Sequence, residues 1–118
     1  MISINDIELC GGIEMAKKAF DGLTESMFYI LMAFLKKEMC GIDVTSFVES
    51  KTGGRVKVGP GTLYTILSRY EEEGLIEETA VEGRKRTYRI TSKGIELYHA
   101  ELDRLKACVV DGESEATR

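Results

Sequence analysis

Tryptophan is absent from this sequence, and proline and histidine each occur once. These shortages narrow what the chain can do. A single histidine, His99, cannot supply the paired histidines of a zinc protease. No GxSxG, HExxH, phosphate-cradling glycine loop or cysteine-histidine neighbourhood is present, so an enzyme is the weaker class of function, and no cofactor is expected. The three cysteines, Cys10, Cys40 and Cys108, are widely spaced and form no CxxC pair. A metal site would have to be assembled between distant elements or subunits, so the cysteines read as buried or bystander thiols, with a thiol- or metal-responsive regulator as the alternative. The longest apolar runs are too short to span a bilayer, so no membrane partner is expected. Met1 to Leu9 carries Asp6 and Glu8 and no base. That is wrong for a cationic secretory leader, and the expectation is a cytoplasmic protein with reduced thiols.

What is present is an uneven distribution of charge. Sixteen bases against 20 acids give a formal charge of -4, unpromising for a partner of polyanions. However, Lys51 to Arg69 holds Lys51, Arg55, Lys57 and Arg69 without an acid, and Arg84 to Lys93 adds Arg84, Lys85, Arg86, Arg89 and Lys93, again without one. The acids gather in Glu71 to Glu73, Glu77, Glu78 and the two ends. Attraction to phosphate follows the local field rather than the net charge, so these windows fit duplex DNA as a partner; two solvated basic faces are the plain alternative. With 118 residues the chain fits one domain of ordinary size.

Hydrophobic spacing supplies the elements. Met27, Ile30, Leu31 and Phe34 predict a first helix capped by Thr24, with Leu23 placed to staple onto Phe28, and stopped by Gly41. Val44, Phe47 and Val48 predict a second helix, with Asp43 in its first turn and Gly53-Gly54 at its end. Arg55 to Val58 alternates as a short extended piece and delivers Arg55 and Lys57 beside the next helix. That third helix opens at Gly59-Pro60-Gly61, where proline is pre-organised and its missing N–H costs nothing. Leu63, Ile66, Leu67 and Tyr70 form its buried stripe, which puts Gly61, Tyr64, Thr65 and Ser68 on the opposite side and Thr62 and Arg69 on one flank. This exposed face is small, hydroxylated and uncharged near its start, and Gly61 lets a partner approach the backbone. After Gly74, alternation from Leu75 to Val81 and from Arg86 to Thr91 around a Glu82-Gly83 turn predicts a hairpin with a basic tip, in which Tyr88 faces inward. A two-stranded hairpin is marginal alone and must lie against the helices.

A last helix begins at Thr91 or Ser92 and runs toward Val110. Ile95, Tyr98, Leu102, Leu105 and Val109 are spaced 3, 4, 3 and 4, a narrow heptad seam that suits a second copy of the helix, hence a homodimer. Residues 111–118 read as a frayed polar tail. Ile13, Ala16 and Phe20 suggest a helix within an N-terminal extension, residues 1–22, that could brace the dimer. The expected fold is mainly α with a small β-hairpin: a winged helix-turn-helix over residues 23–91 and a dimerisation helix over 92–110.

The run from Gly59 through Thr62-Leu63-Tyr64, Leu67, Arg69 and Glu71 to Gly74-Leu75-Ile76, followed by the wing Gly83-Arg84-Lys85-Arg86-Thr87-Tyr88-Arg89-Ile90-Thr91 with Gly94 beyond, resembles the PadR family of bacterial transcriptional regulators. The pattern TLYxxLxRxExxGLI then GRxRxYxIT is far more specific than helix-turn-helix propensity, and the similarity covers roughly Leu23 to Val109. The short length resembles the smaller branch, whose dimers use one C-terminal helix. The resemblance implies that the helix from Pro60 enters the major groove, with Thr62, Tyr64, Thr65 and Ser68 meeting bases or phosphates. Arg69 would be a phosphate contact or an ion-pair partner, and Arg84, Lys85 and Arg86 would grip the backbone or minor groove. Ile42 replaces an aromatic residue common in the family, and Tyr70 a common leucine. Some small members hold flat aromatic compounds between tryptophans at the dimer centre. With no tryptophan that site does not carry over, although Phe20, Tyr98 and the methionines could line a cavity, so a small-molecule effector stays open. The expected function is a homodimeric repressor on a pseudo-palindromic operator; a winged-helix module for protein partners is the alternative.

Overall fold

The computed structural model describes residues 22–117; Cys10, Ile13, Ala16 and Phe20 of the extension lie outside them. Helix α1 (Glu25–Lys36) opens with the Thr24 hydroxyl accepting the Met27 N–H at 3.2 Å. It buries Phe28, Ile30, Leu31, Ala33 and Phe34, and so much of its circumference is apolar that it becomes the central rod of the fold. It ends at Lys36 rather than running on to Gly41. Met39 and Cys40 leave the helix as β1 (Met39–Cys40), buried and paired antiparallel with Tyr88 and Thr87. The pairing covers a strand edge that would otherwise be open.

Helix α2 (Gly41–Lys51) lays Val44 and Val48 on the core and gives way to Gly53 and Gly54, both at positive φ. The following residues form a loop, not the expected extended piece, because their bonding is local. The Thr52 hydroxyl donates to the Val48 carbonyl at 2.9 Å and accepts the Val56 N–H at 3.0 Å, which tucks Val56 inward. Helix α3 (Pro60–Glu72) carries the expected stripe, with Leu63, Leu67 and Tyr70 buried.

Strands β2 (Ile76–Glu82) and β3 (Lys85–Ile90) complete a sheet in the order β1-β3-β2. Glu82 pairs with Lys85, so the turn is Gly83-Arg84, one residue later than the sequence suggested. Thr79 is an extra residue between the pairs Glu78–Tyr88 and Ala80–Thr87, a bulge that breaks the expected alternation along β2. Its hydroxyl donates to Glu38.

Helix α4 (Ser92–Ala116) starts at Thr91, whose hydroxyl accepts the Gly94 N–H at 3.1 Å and donates to the Gly74 carbonyl at 2.6 Å. It is helical to Ala116, beyond Val110, where the sequence reading placed a frayed tail. Glu113, Glu115 and Ala116 are adequate helix formers, and a fully exposed helix requires no apolar stripe to continue. Only its first half is covered by the chain. Tyr98 is there, 7% exposed and stacked on Phe28 at 4.9 Å between ring centroids, so it belongs to the core rather than to a seam for a second copy. Glu101 is also buried. Its carboxylate accepts the Leu23 N–H at 2.8 Å and both Nε and Nη2 of Arg104, tying the start of α1 to α4.

The Tyr70 hydroxyl donates to the Met27 carbonyl at 2.6 Å. Burial, and then the nearby Glu101 carboxylate, raise its ionisation far above the ordinary tyrosine range; burial also raises Tyr88 and Tyr98. An unfolded tyrosine ionises near pH 10, so the stability these phenols supply is complete below about pH 10 and is lost as pH rises past it. Each phenol kept protonated costs about 1.4 kcal/mol per further pH unit. Tyr70→Phe is expected to lose about 1 kcal/mol at pH 7 and to show a shallower alkaline decline than the parent. Urea unfolding at pH 7, 10 and 11 checks this; parallel declines would remove Tyr70 as the source.

Candidate nucleic-acid interface

Proline at the first position of α3 and a buried stripe on one side leave Gly61, Thr62, Tyr64, Thr65, Ser68 and Arg69 exposed, with Lys57 exposed in the loop before them. The Thr65 hydroxyl donates back to the Gly61 carbonyl at 2.9 Å. Gly41, the buried first residue of α2, is the surface on which α3 sits. A Cβ there would lie 3.3 Å from the Leu63 side chain and 3.8 Å from the Tyr64 ring.

The wing brings its bases to the same side. Arg84, Lys85 and Arg86, with Tyr88, form one wall of a concavity of about 500 Å³. Tyr64 and the start of α2, from Cys40 to Asp43, form the other. Among the described residues the wing's ion pairs are Arg86 with Glu78 at 3.2 Å and Arg89 with Glu77 at 2.6 Å. Arg84 and Lys85 at the tip therefore keep their charge toward solvent. Arg55, which the sequence places with Lys57 beside α3, is instead held by Glu25 and by the Tyr29 hydroxyl, against α1.

The arrangement also contains a residue that the sequence marked only as a departure from the family pattern. Ile42 is 77% exposed and lines the concavity beside Tyr64. Its signal was available: it lies off the stripe of Val44, Phe47 and Val48, on the outer side of α2. Cys40 lines the same space, and its thiol donates to Asp43 at 3.3 Å. Cys108 is exposed on α4, and among the described residues no group of three or more histidine, cysteine or carboxylate side chains is placed to hold a metal.

Of the expected seam, Leu102 and Leu105 are half-buried and packed on the core, while Ile95 and Val109 are exposed. Val110, outside the heptad pattern, joins Leu102, Leu105, Lys106 and Val109 around a shallow hollow. No helix among the described residues is long and apolar enough to cross a membrane.

Three packed helices, a two-residue β1 that completes the sheet, and a basic-tipped hairpin beside the exposed face of α3 define a winged helix-turn-helix protein. Residues 30–100 match the transcriptional regulator PadR-like family, and the chain belongs to that family of regulators, which are not enzymes. None of the curated proteins matches it. Its fold is shared with a transcriptional regulator from Clostridium thermocellum at 23% identity, covering 95% of this chain and 97% of that one with a TM-score of 0.64. A PadR family transcription regulator from Clostridium difficile has 15% identity, coverage of 79% and 99%, and a TM-score of 0.67. Bacillus subtilis PadR, solved in complex with operator DNA, is 26% identical over 70% of this chain and 48% of its own, with a TM-score of 0.60.

Proposed function

We propose that the chain is a homodimeric, sequence-specific DNA-binding repressor that lowers transcription by occupying a pseudo-palindromic operator. The observation that carries this is the joint surface of α3 and the wing: an exposed, uncharged, hydroxylated helix face beside Arg84 and Lys85, whose charges the described residues leave for a phosphate backbone. Similarity to a PadR solved on operator DNA supports the same reading. Helix α3 would enter the major groove with Thr62, Tyr64, Thr65 and Ser68 toward bases. Arg69, Lys57 and the wing bases would hold phosphates. The outer half of α4, through Leu102, Leu105, Val109 and Val110, would meet a second copy and set two α3 helices about 34 Å apart, one turn of duplex.

The test is a fluorescence-anisotropy titration against salt. Affinity should fall steeply from 50 to 200 mM salt, and the doubly substituted Arg84→Ala, Lys85→Ala protein should bind at least about tenfold more weakly at low salt. Its log-log salt slope should be shallower by roughly 3 to 4, about 0.9 for each of the four phosphate-neutralising cations removed per dimer. Both side chains are exposed, so melting should be unchanged. A parent protein that binds no duplex at low salt, or a variant with the parental slope, sinks the reading.

A further inference from the structure

The surface that faces the concavity is poor in the side chains that read purines. Between Gly61 and Ser68 the outer face of α3 carries no arginine, lysine, asparagine, glutamine or carboxylate, and Arg69 is the first long donor. Bidentate recognition of guanine or adenine needs such groups. The Thr65 hydroxyl is engaged on the Gly61 carbonyl, which reduces what it can offer to a base. What is offered instead is apolar. Ile42 is 77% exposed, between the buried Gly41 and the exposed Asp43, and Tyr64, which lines the same concavity, is 57% exposed. Together the Ile42 side chain and the Tyr64 ring give the concavity an apolar edge that an occupant could cover. Arg84, Lys85 and Arg86 outnumber the one carboxylate of the lining, Asp43, and so favour an anionic occupant, while Ile42 and Tyr64 suit one that also presents an apolar group. A duplex supplies the charge through its phosphates and the apolar group through the C5-methyl of thymine, the one methyl displayed in the major groove.

Building on the DNA-binding reading above, we infer that Ile42, together with the Tyr64 ring, reads thymine methyl groups. The protein then selects its half-sites by thymine at the step beneath the junction of α2 and α3, rather than by paired hydrogen bonds to a purine.

The experiment starts from an operator selected by the full chain from a randomised duplex pool. Each thymine of one half-site is replaced singly by deoxyuridine, which removes only the methyl. At one or two positions the replacement should weaken binding about fourfold, the ratio that corresponds to burying one methyl-sized group. Ile42→Ala should bind the thymine operator about as weakly as the parent binds the uracil one, and should no longer distinguish the two. Tyr64→Phe should keep the discrimination, and Tyr64→Ala should reduce it. Ile42 is exposed, so the variant's melting curve should match the parent's. A flat uracil scan in a protein that binds its operator, or discrimination that survives in both Ile42→Ala and Tyr64→Ala, overturns the thymine reading alone. Failure to select any duplex overturns it together with DNA binding.

Discussion

Replacing Gly94 by alanine is expected to cost about 2 to 3 kcal/mol, seen as a fall in Tm of roughly 10 to 15 °C. Gly94 lies in the first turn of α4, where the helix crosses the hairpin. A Cβ there would stand 2.3 Å from the Leu75 carbonyl oxygen and 2.7 Å from Ile90 Cγ1. The carbonyl cannot retreat freely, because it accepts the Thr91 N–H at 3.0 Å and the Thr91 hydroxyl at 3.1 Å. Moving it would loosen the cap of α4. The roughly 1 kcal/mol by which alanine outperforms glycine in a helix works in the other direction and is already subtracted. Gly61→Ala provides the contrast. Apart from its chain neighbours and the helix's own backbone, no atom lies within 4 Å of its would-be Cβ, so the helix gain should appear nearly whole, as about 0.5 to 1 kcal/mol of added stability. The same methyl would stand in the face that approaches bases, so DNA affinity should fall while Tm rises. Thermal melts followed by circular dichroism check both. A Gly94→Ala protein melting within 2 °C of the parent, a margin of less than about 0.5 kcal/mol, would mean that α4 does not rest on Leu75 as described.

A change of comparable size is expected from Val109→Glu with Val110→Glu. Both valines are more than half exposed, at 57% and 63%, so the fold of one chain should tolerate the glutamates. In the proposed dimer the same positions meet across a two-fold axis, where four added carboxylates would have to be desolvated close together. The protein should sediment as a monomer at micromolar concentration. Its melting should lose its dependence on protein concentration. Operator affinity should fall by about a hundredfold or more, since each half-site would then be bound without the help of the other. A variant that remains dimeric places the assembly elsewhere, and the outer half of α4 would need a different partner.

What could be read from the sequence depended on whether an element announced itself by a period. Helix α3 did so through Pro60 and the stripe from Leu63 to Tyr70, and β3 through the alternation that sends Tyr88 inward. Strand β1 did not, because two residues carry no period, and its pairing partner is about 50 positions away in the chain. The Thr79 bulge was hidden for a related reason: one extra residue looks like any other until the opposite strand supplies the register. Tyr98 shows a different limit. Its spacing with Leu102 and Leu105 is the same whether the covering surface is α1 or a second chain, so periodicity found the apolar line on α4 but could not say what covers it. Glu101 was missed because a carboxylate on a helix normally faces water. Only the fold brings it the Leu23 N–H and the Arg104 guanidinium that permit its burial. On the candidate interface, the exposed residues of α3 and the wing followed from helical angle and charge. The place of Ile42 on the edge of the concavity did not, since apolar residues were sought where they form stripes rather than where one stands alone.

The joint at Thr91 has a consequence for geometry at longer range. Strand β3 ends at Ile90 and α4 begins at Ser92, with the Thr91 side chain clasped onto the Gly74 and Leu75 carbonyls between them. No slack separates the wing from the arm that would reach the second protomer, so the two halves would behave like the legs of a locked calliper. Such an instrument measures one opening. Adding a single base pair between half-sites turns the far one by roughly 35° and moves it by about 3.4 Å, a mismatch that a hinged reader would absorb and this one would reject.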